Sequence, residues 1–246
     1  IDDLKHFYIN NYNINNILVS AVGDINAAKT QELVLSSFKG WNADGKGNQP
    51  PVILNVELKE PIEKVITKAD KTQTEIVMGH ANYIDRMNPD FFPLLIANQA
   101  LGGSALSSRL GNVVRDENGL VYSVRTSFSA TLGAGEFEVA LGCNPKNTAK
   151  AVELTKKVIQ DFLKAGVNAT ELEITKSYLI GSFGPRTLAS NEAIADTLSQ
   201  LQLYKLGNDY IKTYQDRINA ITLDEVNRVA RKYIHPDKLN VVIVGP

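Results

Sequence analysis

The residues able to do hydrolytic chemistry are few, and their spacing does not suit it. The three histidines are His6, His80 and His235, and no two of them lie within five positions of each other. A zinc-peptidase helix needs two imidazoles on one face with a glutamate as general base, as in H-E-x-x-H or the inverted H-x-x-E-H; the chain contains neither pattern. His80 ends an apolar run and reads as a satisfied structural histidine, while His6 and His235 read as exposed helix-face and turn residues. The one cysteine, Cys143, excludes an internal disulfide. On a strand it reads as a small buried hydrophobe rather than a nucleophile. Leu101-Gly102-Gly103-Ser104 lacks the lysine a phosphate loop wants, and no G-x-S-x-G elbow occurs. The spacing therefore predicts no catalytic residue and no metal ligand in this chain.

The most informative stretch of the chain runs from Leu101 to Val124. Ser104 is predicted to cap a helix running to about Asp116, with Leu106, Leu110, Val113 and Val114 on one face. Asn118-Gly119 is a stop, because glycine tolerates the left-handed conformation that a helix end needs. A strand over 121–129 follows. Arg115 then sits in the last helical turn and Tyr122 on the returning strand. Spacing alone reads Arg115 as a surface ion pair with Asp116, Glu117 or a helix end, and Tyr122 as an ordinary strand aromatic. Arg109, near the Leu106/Leu110 face, reads as structural.

The elements around this stretch predict an α+β fold, a largely antiparallel sheet with helices packed on one face. Strands are predicted at 62–68, 73–80, 121–129, 135–142 and 239–244. Helices are predicted at 89–101, 147–164, 170–187 (where Pro185 should kink or end it), 190–205, 208–218 and 222–233. Near the start, a helix over 1–12 and a short apolar strand, Ile17 to Val22, precede a helix from Asn26 to about Phe38 with Leu33 and Val34 inward. Gly40, Gly45, Gly47 and Pro50 mark a linker.

The two ends of the chain echo each other. Shifted by 222 positions, residues 1–23 fall on 223–245 without a gap: Asp2 meets Asp224, Leu4 meets Val226, Phe7 meets Val229, Tyr12 meets Ile234 and Val22-Gly23 meets Val244-Gly245. Repeats fix architecture. The echo predicts residues 1–40 as the tail of a preceding homologous unit (helix-strand-helix), 41–60 as a linker and 61–246 as the second unit. An Ile17–Val22 strand separated from its own sheet must pair elsewhere or stay unpaired. With no initiator methionine and no signal-like start, the sequence reads as an internal fragment, its compartment open between bacterial periplasm and cytoplasm.

Composition excludes other classes. Lys plus Arg number 26 against 27 Asp plus Glu, a net charge of −1, so bulk charge argues against a nucleic-acid partner. No run of about 18 apolar residues occurs, so no membrane span is predicted.

Taken in order, Leu101-Gly102-Gly103-Ser104, Ser108-Arg109-Leu110, Arg115 and Gly119-Leu120-Val121-Tyr122-Ser123 resemble the signature of the second, zinc-free half of the insulinase-like (pitrilysin-type) zinc metallopeptidases. The helix–strand–Val-Gly-Asp pattern at 1–24 is similar to the end of that family's zinc half, so the resemblance covers essentially the whole chain. It departs in having Arg115-Asp116 where Arg-Glu is frequent, and in the Gly184-Pro185-Arg186 turn. The resemblance implies a clamshell of two homologous halves. One carries H-x-x-E-H and zinc. The other, represented here, holds no cofactor and offers Arg115 and Tyr122 to a peptide substrate. The implied partners are a zinc-bearing half, in the same polypeptide or a separate subunit, and the peptide. Two alternatives stay open: a structural or processing-complex subunit of the same fold, and a peptide-binding module that acts without catalysis.

Overall fold

Period-two burial dictates the sheet. In β2 (Thr74–Asn82) every second residue from Thr74 is buried, and in β4 (Gly135–Cys143) Phe137, Val139, Leu141 and Cys143 point inward. The computed structural model describes residues 1–41, 52, 57–104 and 107–246. Its five strands, with β1 (Glu63–Thr67), β3 (Val121–Phe128) and β5 (Asn240–Gly245), are ordered β1-β5-β2-β4-β3. β2 pairs antiparallel with both β4 and β5, β3 pairs antiparallel with β4, and β1 alone is parallel, to β5. The α+β expectation holds.

The chain divides into two compact units: Ile1–Val52 with Gly181–Tyr210, and Ile53–Ile180 with Ile211–Pro246. The second contains the sheet; α3 (Phe91–Asn98) and α4 (Thr148–Ala165) touch its strands β3 and β2, and α8 (Leu223–Tyr233) packs against α3 and α4. The α8 stripe Val226, Val229, Ala230 and Tyr233 is buried, and Thr222 and Glu225 close a capping box at its start. α5 (Ala169–Thr187), in which Pro185 stands two residues before the end, is divided between the units after Ile180, and α7 (Tyr210–Ala220) lies in the second apart from Tyr210. The first unit holds α1 (Asp2–Asn11), α2 (Ala27–Ser37) and α6 (Asn191–Leu203). No helix among the described residues is long and apolar enough to cross a membrane.

Three sequence expectations need correction. Ile17–Val22 forms no strand, because none of the described strands pairs with it. Leu33, predicted inward, is 66% exposed, and α2 buries none of its residues. The helix predicted from Ser104 to Asp116 is instead a π-helical segment over Gly111–Glu117, preceded by another over Gln99–Gly103. Leu106 and most of the 41–60 linker lie outside the described residues.

One buried carboxylate fastens α8 to the start of α3. Asp90 accepts from Arg228 Nη2 at 2.6 Å, Lys232 Nζ at 2.7 Å and Tyr233 Oη at 3.1 Å. Burial alone would raise its pKa, but these donors outweigh burial and lower it to about 2. Asp90→Asn is therefore expected to cost about 1–2 kcal/mol of stability at neutral pH. The sign follows from linkage. The contribution is complete above the ordinary carboxyl value of 3.8 and is lost as pH falls from there through about 2. Denaturant melts of both proteins across that range should show the gap closing on the acid side.

Candidate functional site

The site stretch begins on a close approach. Gly102 packs against β3 so tightly that a Cβ there would meet Thr126 Oγ1 and Cγ2 at 2.7 Å. Asn98 and Thr126 lock the same junction: Asn98 Nδ2 donates to the Thr126 carbonyl at 3.3 Å, and Thr126 Oγ1 donates to the Asn98 carbonyl at 3.2 Å. The conformational and packing demands of the Gly-Gly-Ser element are thus those of a π-helical turn laid on an edge strand.

Arg109 holds the entry to the second π segment. Its Nε and Nη2 donate to Glu171 Oε1 and Oε2 at 2.6 and 2.7 Å, and Nη2 also reaches the Gly166 carbonyl. The guanidinium lies 5.0 Å from the Phe162 ring centroid. Burial would push the Glu171 pKa up, but the Arg109 fork and the Asn168 N–H hold it below the usual carboxylate range. The expectation that Arg109 is structural agrees with this geometry, although the sequence did not identify Glu171 as its partner.

The exit is fixed by amides. Asn118 Nδ2 donates to the Val113 carbonyl at 2.8 Å. Gly119 adopts φ +58°, and its N–H donates to the Arg115 carbonyl at 2.9 Å. Leu120 N–H donates to the Val114 carbonyl at 3.1 Å, and Asn147 Nδ2 holds the Leu120 carbonyl at 3.2 Å. The chain then enters β3 through a bulge: Val121 opposes Cys143 and Ser123 opposes Gly142, leaving Tyr122 as the extra residue. The bulge lets Val121 and Val124 both point inward while Tyr122 and Ser123 both face out. Tyr122 is 58% exposed.

Arg115 and Tyr122 therefore stand on either side of one rigid reversal, Arg115 in the π turn and Tyr122 on the bulge. No hydrogen bond or ring contact joins them. The Arg115 side chain is 23% exposed, and its Nε donates to Asp116 Oδ1 at 2.8 Å. The surface ion pair expected from spacing alone is thus present. It uses one face of the guanidinium and leaves the two Nη nitrogens without a partner among the described residues. A planar fork with two open donors suits a peptide carbonyl or carboxylate.

The remaining candidates are structural. His80 is buried. Its Nε2 accepts from the His235 N–H at 3.1 Å and its Nδ1 lies 2.9 Å from the Ala81 carbonyl, so the neutral Nδ1–H tautomer satisfies both nitrogens. Burial lowers its pKa. Cys143 is buried with its pKa raised by burial. Among the described residues no group of three or more His, Cys, Asp or Glu is arranged to hold a metal ion. Sequence reasoning missed the bulge, the Asn147 clamp and Asn227, whose side chain bonds both the N–H and the carbonyl of Val167. None of these carries a local pattern.

The family model of the peptidase M16 inactive domain matches residues 1–179. The chain is 28% identical to the Helicobacter pylori non-peptidase homolog YmxG over all of its length, and 25% identical to the Bacillus subtilis uncharacterized zinc protease YmxG over 96% of it. These alignments span 55% and 56% of the relatives, so the chain covers about half the length of the curated proteins it matches. Among solved structures, a peptidase M16 inactive domain from Pseudomonas fluorescens superposes with a TM-score of 0.79 at 24% identity, covering 91% of this chain and 52% of that one.

Proposed function

Because the chain belongs to the peptidase M16 inactive-domain family, we propose that it grips peptide substrates for a zinc endopeptidase whose cleaving half is a separate, homologous unit. In this reading the zinc and its H-x-x-E-H helix lie in that other half, either upstream in the same polypeptide or on a partner subunit. Arg115 takes a carbonyl or the carboxylate of the peptide with its two open Nη donors. Tyr122 adds a phenol from the bulge. Holding the backbone in register over a metal-bound water is a proximity contribution, and no bond is broken by this half. The observation that supports the reading best is the construction of the reversal. Arg109, Asn118 and Asn147 rigidify a segment on which Tyr122 is exposed and the Arg115 side chain, 23% exposed, bonds only Asp116 among the described residues.

The purified chain is expected to hold no stoichiometric zinc and to cleave no unfolded peptide, measured by metal analysis and a quenched-peptide assay. Chelator-sensitive cleavage by the chain alone would refute this. A second reading is suggested by the name of the Helicobacter pylori relative, a non-peptidase homolog: a binding or scaffolding subunit with no cleaving partner. It would be favoured if the assembled protein, zinc supplied, binds peptide but never turns it over.

A further inference from the structure

The outward face of the sheet carries a carboxylate that the fold does not use. β2 is the middle strand of the five, and a glutamate is disfavoured there by strand preference. Glu75 nonetheless stands in β2, on the face opposite the buried row of Thr74, Ile76 and Met78. In register it faces Val244 on β5 and Gly142 on β4. Val77, the next outward residue of β2, is 42% exposed. Among the described residues no hydrogen bond or ion pair reaches the Glu75 carboxylate. Arg125, on the next outward row opposite Ala140, does not pair with it.

Gly142 lets this carboxylate meet the Tyr122 bulge. It pairs with Glu75 on one side and with Ser123 on the other. A Cβ at this glycine would lie 3.5 Å from both Glu75 Oε1 and Oε2 and 3.3 Å from Ser123 Oγ. The two side chains therefore lean from both neighbouring strands over one bare backbone position. Gly142 is not among the glycines with positive φ, so its conformation does not call for glycine; the missing side chain is what opens the floor. Ser123 Oγ has no hydrogen-bond partner among the described residues. Tyr122, its neighbour in the chain, is exposed. A carboxylate, a hydroxyl able to accept and an aromatic ring thus gather at one end of the sheet. That set recognises a cation: N–H donors make charge-assisted bonds to the carboxylate, the hydroxyl accepts another, and the ring face attracts positive charge.

We infer that Glu75, Ser123 and Tyr122 form a subsite for a lysine or arginine side chain of the bound peptide, with Glu75 setting the preference for charge. The subsite rests on the substrate grip proposed for Arg115 and Tyr122 and narrows it. Arg115 takes a carbonyl or carboxylate, for which residue type is immaterial. Glu75, across Gly142 from the same bulge, selects peptides with a basic residue beside that contact.

The test uses the longer natural polypeptide or subunit complex that contains this chain. Peptides are compared in which one position at a time is lysine or norleucine, which lacks the ammonium group. Binding, by fluorescence anisotropy, and kcat/KM are each read as the lysine-to-norleucine ratio. At the position that reaches Glu75 the ratio should be about three- to tenfold. It should shrink as salt rises and fall to near one in Glu75→Gln. Gly142→Ala, which fills the floor, should lower it as well. Glu138→Gln, on the same face of β4 but about 13 Å along the strand, should keep it. Melting curves show that each variant is folded. A lysine preference found at no position, or one that survives Glu75→Gln, would overturn the subsite and leave the Arg115 grip standing on its own kinetics. A preference in binding that depends on Glu75, without any cleavage, upholds the subsite and refutes the peptidase reading. A complex that binds none of the peptides would overturn both.

Discussion

In the proposed assembly with a zinc-bearing half, Arg115→Ala is expected to lower kcat/KM by about 10- to 100-fold and to leave the zinc content unchanged. The size follows from the bonds at stake: hydrogen bonds from a charged donor are worth about 1.5–3 kcal/mol, and each 1.4 kcal/mol is roughly a factor of ten in rate. Stability should move little, because the only bond the Arg115 side chain makes among the described residues is to the neighbouring, half-exposed Asp116, and such pairs contribute about 0–1 kcal/mol. Arg115→Lys should recover little, since an ammonium cannot offer two parallel donors to one carbonyl or carboxylate. The split between kcat and KM shows when the grip acts. A fall in kcat means contact that strengthens in the transition state, and a rise in KM alone means a uniform hold on the peptide. Kinetics indistinguishable from the native protein would remove Arg115 from any substrate role.

The second large effect is structural. Arg109→Ala should cost about 2–4 kcal/mol, because it strips a partly buried Glu171 of its bidentate partner and the Gly166 carbonyl of a donor. For a chain of this size that is a fall in melting temperature of about 5–15 °C. Calorimetry of the isolated chain measures it. A double-mutant cycle with Glu171→Gln should show strong non-additivity, since the two changes break one interaction. In the assembled protein Arg109→Ala should also impair turnover indirectly, by loosening the π segment that carries Arg115.

What could be read from the sequence was whatever repeats locally. The alternation of Phe137, Val139 and Leu141 gave β4, because burial on one face leaves a period in the chain. Gly119 marked the reversal because only a left-handed residue closes it. The π geometry of Gly111–Glu117 left no such mark, since Leu110 just before it and Val114 within it keep α-helical spacing. Tyr122 was singled out by resemblance, but the bulge that turns it outward arises from register with β4, a property of two strands rather than one. Arg109 with Glu171, and Asp90 with Arg228 and Lys232, bring together residues far apart in sequence. Nothing local to either partner encodes such choices. Ile17–Val22 shows the converse: its apolar run has the composition of a strand, but a strand exists only where neighbours supply its hydrogen bonds.

The most direct test is a crystal structure of the proposed assembly of this chain with its zinc-bearing half, stripped of zinc, with an extended peptide trapped inside. The Arg115 Nη atoms and the Tyr122 hydroxyl should lie within hydrogen-bond distance of the peptide backbone or its terminal carboxylate, with the metal helix on the opposite half. A peptide bound without touching either side chain, or both side chains turned away from it toward bulk solvent, would contradict the claim that this half grips and positions the substrate.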